Sequence, residues 1–132
     1  MPTLAVTGAL GKTGQAIINA CGHAWDIRAL ARNAQQAEAL EVAGCEVVVG
    51  DMSEDSILGQ LFEGAHSAYH ICPNFHEGEV EIGAAVAAQA GGLEHLVYHS
   101  VLHPQTQKMP HHWRKLLVEE LLLLVYITKQ CC

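Results

Sequence analysis

The feature that most constrains this chain is Leu4-Ala5-Val6-Thr7-Gly8-Ala9-Leu10-Gly11-Lys12-Thr13-Gly14, in which a short apolar run meets three glycines spaced three apart. The run Leu4 to Thr7 predicts a buried strand. From Thr13 to Cys21 the spacing predicts a helix with Ala16, Ile17, Ala20 and Cys21 on one face. A strand that turns through glycines into a helix lets main-chain N–H groups and a helix N-terminus approach a diphosphate, because glycine has no Cβ to block the way.

Strand and helix signals then alternate along the chain. Gly22 stops the first helix, and Asp26 to Ala31 predicts a second strand. Asn33 caps a helix that runs to about Ala43 and ends at Gly44. Glu46 to Val49 predicts a third strand, closed by Gly50-Asp51, and Ser53 is placed to cap a short helix through Leu61. Ser67 to Cys72 predicts a fourth strand that Pro73 stops. A long helix over Glu77 to Ala90 breaks at Gly91-Gly92, and Leu96 to His99 predicts a fifth strand. From about His111 the pattern is helical, with Trp113, Leu116, Leu117, Leu121 and Leu124 on one side. Serial β-α units imply an α/β fold: a doubly wound parallel sheet of Rossmann type, with strand order 3-2-1-4-5 in one domain. Ligands of such sheets lie at the carboxyl ends of the strands where the order reverses.

The glycine loop is therefore a candidate diphosphate cradle, with Gly8, Leu10, Gly11, Lys12, Thr13 and Gly14 as contacts. Gly11-Lys12-Thr13 also raises a phosphate-binding P-loop, but that motif needs a glycine where this chain has Val6, so phosphoryl transfer is excluded. A dinucleotide with an unphosphorylated adenosine ribose is usually met by Asp or Glu after the second strand. Here that position holds Arg32, whose guanidinium suits a 2′-phosphate, and Lys12 adds a second cation. The expected cofactor is NADP(H) in preference to NAD(H). Asp51 and Met52, after the third strand, are placed for the adenine edge, and Cys72, Pro73 and Asn74, after the fourth, for the far wall. Cys72 reads either as a redox thiol or as an inert buried one.

Composition narrows the remaining classes. A formal net charge of −7 speaks against nucleic-acid binding, which needs a basic surface. No stretch approaches the roughly 20 apolar residues of a membrane span, and no secretory leader is expected. The five cysteines are an odd number, and Cys21, Cys45 and Cys72 sit in apolar or strand-like segments, so they are expected reduced, in a cytoplasmic protein. Nine histidines invite a metal site, but none has zinc-ligand spacing, and no metal is expected.

The glycine loop, Arg32-Asn33, Gly50-Asp51, Val97-Tyr98-His99-Ser100-Val101, His111-His112-Trp113-Arg114-Lys115 and Val118-Glu119-Glu120 together resemble the NmrA-like family, atypical members of the short-chain dehydrogenase/reductase superfamily. The resemblance covers residues 1 to about 120. It implies an NADP-binding Rossmann fold, with activity on small substrates such as quinones, or a redox-sensing, partner-binding role without turnover. Superfamily reductases use a tyrosine and a lysine four residues later; Lys115 matches the lysine, while His111 stands where the tyrosine would be, and Ser100 matches the strand-five serine. The resemblance thus makes Lys115, His111 and Ser100 the catalytic candidates, with Lys115 also holding the cofactor ribose. Family members run to about twice this length, so a C-terminal substrate region is expected to be absent. The fifth strand would then be an open edge, and the leucine-rich tail from Leu121 onward an apolar surface for a protein partner or self-association.

Overall fold

A computed structural model describes the backbone of residues 1–130 and the side chains of residues 1–125. Five strands, β1 (Thr3–Val6), β2 (Asp26–Ala31), β3 (Glu46–Val49), β4 (Ser67–His70) and β5 (His95–Tyr98), form one all-parallel sheet in the order 3-2-1-4-5. Between them run α1 (Lys12–Cys21), α2 (Ala34–Val42), α3 (Asp55–Phe62) and α4 (Glu79–Gln89), and α5 (Pro110–Gln130) follows β5. The predicted Gly91-Gly92 break is a single 3₁₀ turn over Ala90–Gly92.

Period-two alternation in the strands feeds two cores, one on each face of the sheet. Leu4, Val6, Ile27, Ala29 and Ala31 pack against α1 and α2. Ala5, Leu30 and Ala68 point the other way, into a larger core with Leu58, Leu61, Phe62, Ile82, Val86, Val118 and Leu122 from α3, α4 and α5. Asn33 caps α2 as expected, its Oδ1 accepting from the Gln36 N–H at 2.9 Å, and Gly44 leaves the helix at φ +89°.

Several local expectations are corrected. α1 buries Gly14 and Ile18, while Ala16 and Ala20 are exposed. The close seat of Gly14 on the glycine loop sets that rotation. Ser53 does not cap α3; Glu54 occupies the N-cap, and Ser53 donates instead to Asp51. β4 ends at His70 rather than Cys72, because the Ile71 N–H is taken by Thr7 Oγ1 at 2.8 Å instead of by the ladder. Among the described side chains of α5 the buried positions are His111, Lys115, Val118 and Leu122, not the predicted apolar set, of which Leu124 is 60% exposed. Cys131-Cys132, the end of the tail, lies outside the described residues.

His70 is wholly buried on β4. Thr7 Oγ1 lies 2.8 Å from its Nδ1 and 3.0 Å from the Ile71 carbonyl oxygen. The single hydroxyl proton must go to the carbonyl, which can only accept, so His70 Nδ1–H donates to Thr7. Burial, with a smaller push from Lys115, lowers the His70 pKa from 6.5 to about 3. A depressed histidine binds its proton in the unfolded chain before it does so in the folded one. Stability should therefore fall as pH drops from about 6.5 toward about 3. Denaturant titrations at pH 7 and pH 5 should show a smaller drop in His70→Gln than in the parent.

Candidate functional site

At the carboxyl ends of β1, β2 and β4 the chain forms an open cleft of about 380 Å³. Its floor is the turn from β1 into α1, and each glycine there has a distinct reason. Gly8 has φ +66°, and a Cβ on it would lie 2.9 Å from the Cβ of Ile71. At Gly14 a Cβ would lie 2.2 Å from the Gly8 carbonyl oxygen, so only glycine lets α1 sit this close to the turn. Gly11 is different. Its φ is −71°, and a Cβ there would meet nothing nearer than the Gly8 oxygen at 3.5 Å. The fold does not require glycine at Gly11, and the space its missing side chain leaves opens on the cleft.

Gly11 is also the N-cap of α1, which has no side-chain cap and no acidic residue in its first turn. The partial positive charge of the helix end is left for whatever occupies the cleft. Lys12 and Arg32 are both exposed on the cleft lining. The Arg32 N–H donates to Gln36 Oε1 at 2.9 Å, which ties Gln36 to the same wall.

Of the residues singled out from the sequence, Gly8, Leu10, Gly11, Lys12, Thr13, Gly14, Arg32, Met52, Cys72, Pro73 and Asn74 all line this one cleft. Asp51 does not. Its Oδ1 accepts from the Ser53 N–H at 2.8 Å and the Ser53 hydroxyl at 2.6 Å in an Asx turn. Those two bonds, the side-chain one first, hold its carboxyl below the usual carboxylate range.

The three catalytic candidates also lie off the lining, each engaged elsewhere. Ser100 donates a short hydrogen bond to Glu119 Oε1. His111 Nδ1 accepts from the Phe75 N–H at 3.3 Å, which puts the ring proton on Nε2. Burial, and then the Lys115 charge, pull the His111 pKa below its ordinary value. Lys115 is 2% exposed, and its Nζ lies 2.5 Å from Glu79 Oε1, itself on a residue only 1% exposed. Cys72 connects this buried pair with the cleft. Burial first, then hydrogen bonding to Glu79, push its thiol pKa far up. The inert reading of that thiol is the one its surroundings favour.

A model of the NmrA-like family matches residues 2–127. The chain belongs to the NmrA-like family. Over 74% of its length it is 32% identical to the NmrA-like family domain-containing oxidoreductase notA of Aspergillus sp. (strain MF297-2), covering 33% of that protein. Its backbone matches that of the Citrobacter sp. triphenylmethane reductase complexed with NADP(H), with TM-score 0.81 and 25% identity, over 96% of this chain and 46% of that one. An NADPH-dependent quinone oxidoreductase of Escherichia coli, complexed with NADPH, shares the fold at TM-score 0.81 and 24% identity, over 92% of this chain and 45% of that one. The chain therefore spans between a third and a half of the length of these relatives.

Five cleft residues escaped the sequence reading: Ala9, Leu30, Gln36, Ile71 and His99. For two of them a signal existed. Leu30 precedes Arg32 by two, so strand alternation puts both on one side. Gln36 stands three residues after the Asn33 cap, where a side chain reaches back to the helix start. His99 enters the cleft with its Nδ1 3.1 Å from the Tyr69 hydroxyl, a contact between β4 and the residue just after β5 that no local pattern announces.

Proposed function

We propose that this part of the family fold binds a nicotinamide dinucleotide across the glycine turn, with NADP(H) preferred over NAD(H), as the cofactor-holding part of an oxidoreductase. One observation carries the reading. Gly11 is a glycine that the fold itself does not need, at an uncapped helix N-terminus, opening on the cleft. A ligand that must touch main chain explains it, and a diphosphate is the ligand that a helix N-terminus favours. The two relatives solved with NADP(H) or NADPH support the same class. When bound, the reduced dinucleotide supplies a hydride. The residues of this chain hold its diphosphate on the Lys12 to Gly14 amides, since the Gly11 N–H already donates to the Gly8 carbonyl oxygen at 3.2 Å, and Arg32 pairs with the adenosine 2′-phosphate.

Calorimetric titration with NADPH and NADH tests this. NADPH should bind more tightly, and Arg32→Ala should remove most of the difference, about 1.5–3 kcal/mol for a charged hydrogen bond. Equal affinities in the parent would defeat the selectivity.

A second reading, nucleotide sensing without turnover, draws on the engagement of Ser100, His111 and Lys115 with Glu119, Phe75 and Glu79 rather than with the cleft. In that reading the β5 edge of the sheet, last in the strand order among the described residues and with Val97 47% exposed, and the exposed Leu123 and Leu124 of α5 serve a protein partner or a second copy of the chain. Oxidation of NADPH by a quinone acceptor separates the two readings.

A further inference from the structure

The loop from β4 into α4 begins as wall of the cleft, with Ile71, Cys72, Pro73 and Asn74 on its lining. The next residue, Phe75, has φ +60°. A bulky L side chain stays in that left-handed region only when its surroundings hold it there. The hold comes from α5. The Phe75 N–H donates to His111 Nδ1 at 3.3 Å, and the two rings meet at a tilt with centroids 4.5 Å apart. Phe75 is nevertheless 74% exposed, so burial of its ring does not explain the conformation. The main-chain bonds inside the loop, His76 N–H to the Pro73 oxygen and Glu79 N–H to the His76 oxygen, are long at 3.3 Å each.

A second pin has the same chemistry. His76 Nδ1 accepts from the Gly78 N–H at 2.9 Å, where Gly78 is the N-cap of α4. Among the described residues from Pro73 to Gly78, the N–H groups that donate to side chains are these two, and both acceptors are imidazole nitrogens. An imidazole accepts at Nδ1 only while neutral, because the imidazolium carries a hydrogen on each nitrogen. One proton from solvent on each ring therefore sets a donor against a donor at both pins. The charged and titratable groups around His111 are Lys115, His112 and Arg114 from its own helix and Glu79 from α4. Around His76 they are Asp51, after β3, and Glu81 of α4. Burial first, then the Lys115 charge, hold the His111 pKa below its ordinary 6.5 while the loop is pinned. A release that uncovers the ring relieves that burial, so protons bind the released loop more readily and acid shifts the population toward it.

We propose that residues 73–78 form a proton-released strap beside the cleft: protonation of His111 and His76 withdraws both acceptors, lets Phe75 leave its left-handed backbone, and loosens the wall at Pro73 and Asn74 against a bound dinucleotide. The release is a property of the chain without ligand. Its effect on binding rests on the dinucleotide reading above. Nucleotide affinity then falls in acid by the fraction of chains whose strap is open.

Amide hydrogen exchange of the unliganded chain, read by NMR at pH 7.5 and pH 5, tests the release directly, because the Phe75 and Gly78 N–H groups are the donors of the two pins. Their protection factors should fall about tenfold between the two pH values, relative to the β1 amides, which report any change in overall stability. The double variant His76→Asn with His111→Asn keeps an oxygen acceptor near each Nδ1 position but cannot take the proton, and should hold both protection factors constant. No fall in the parent, or an equal fall in the double variant, overturns the proposal. Should the double variant not fold, His76→Asn by itself should keep the Gly78 protection at pH 5, and a loss as large as the parent's overturns the proposal equally. Calorimetry with NADP⁺ at the same two pH values tests the consequence. The ligand's 2′-phosphate titrates alike beside both proteins, so the ratios are compared: the Kd at pH 5 over that at pH 7.5 should be about fivefold larger for the parent than for the double variant. Equal ratios beside a released strap would refute its hold on the site. Failure of the parent to bind NADP⁺ at either pH would refute the dinucleotide reading and the effect on binding with it, and the exchange result would still decide the release.

Discussion

Gly11→Val should abolish NADPH binding while leaving the protein folded. The two halves of that expectation come from different facts. Position 11 has extended backbone, φ −71° and ψ 170°, which valine adopts readily. A Cβ there meets only the Gly8 oxygen, at an ordinary 3.5 Å. Valine is a poorer N-cap than glycine, a cost of no more than about 1 kcal/mol. Nothing in the fold itself resists the change. A diphosphate seated on the α1 N-terminus would find two methyl groups in its place. Held off the main-chain amides, NADPH should bind too weakly for calorimetry to detect. Gly14→Ala is the opposite case. Its Cβ would stand 2.2 Å from a carbonyl oxygen and 2.6 Å from the Cα of Ala9, both main-chain atoms that cannot rotate aside. That variant should lose stability whether or not a nucleotide is present. Thermal melts beside the titrations separate the two glycines. Undiminished NADPH affinity in Gly11→Val would mean that the turn is not a cradle.

What was legible in the sequence follows from what each signal encodes. The sheet order came from alternation of short apolar runs with helical stretches, because a parallel sheet must cross over through helices and does so with one hand. Asn33 and Gly44 were legible because capping is a local contract between a side chain or a φ angle and the next few amides. The glycine turn gathered its predicted residues around one cleft for the same reason: its chemistry lies within seven consecutive positions. What failed was long-range. On α5, hydrophobicity selected Trp113, Leu116, Leu117, Leu121 and Leu124, yet the face turned inward carries His111 and Lys115. A lysine joins a core only if a carboxylate waits there, and Glu79 lies on another helix, 36 positions earlier by residue number. Apolar periodicity carries no information about such a partner. At shorter range, Ser53 reads from sequence as a helix cap but bonds Asp51 instead.

The second large effect concerns that same helix pair. Lys115→Met should destabilise the protein by about 3–5 kcal/mol near pH 7, far more than the loss of an exposed ion pair. Methionine fills the lysine's volume, so the cost is electrostatic: a carboxylate 1% exposed is left with no cation. The Cys72 thiol and Tyr98 hydroxyl beside it stay neutral and bring no compensating positive charge. Denaturant unfolding of parent and variant at pH 7.5 measures that difference directly. A double variant, Glu79→Met with Lys115→Met, should regain most of the lost stability, because paired removal leaves no orphaned charge. The same double variant should not regain NADPH affinity if Lys115 serves the dinucleotide. Recovery of both properties together would mean that the pair serves only the packing of α4 against α5.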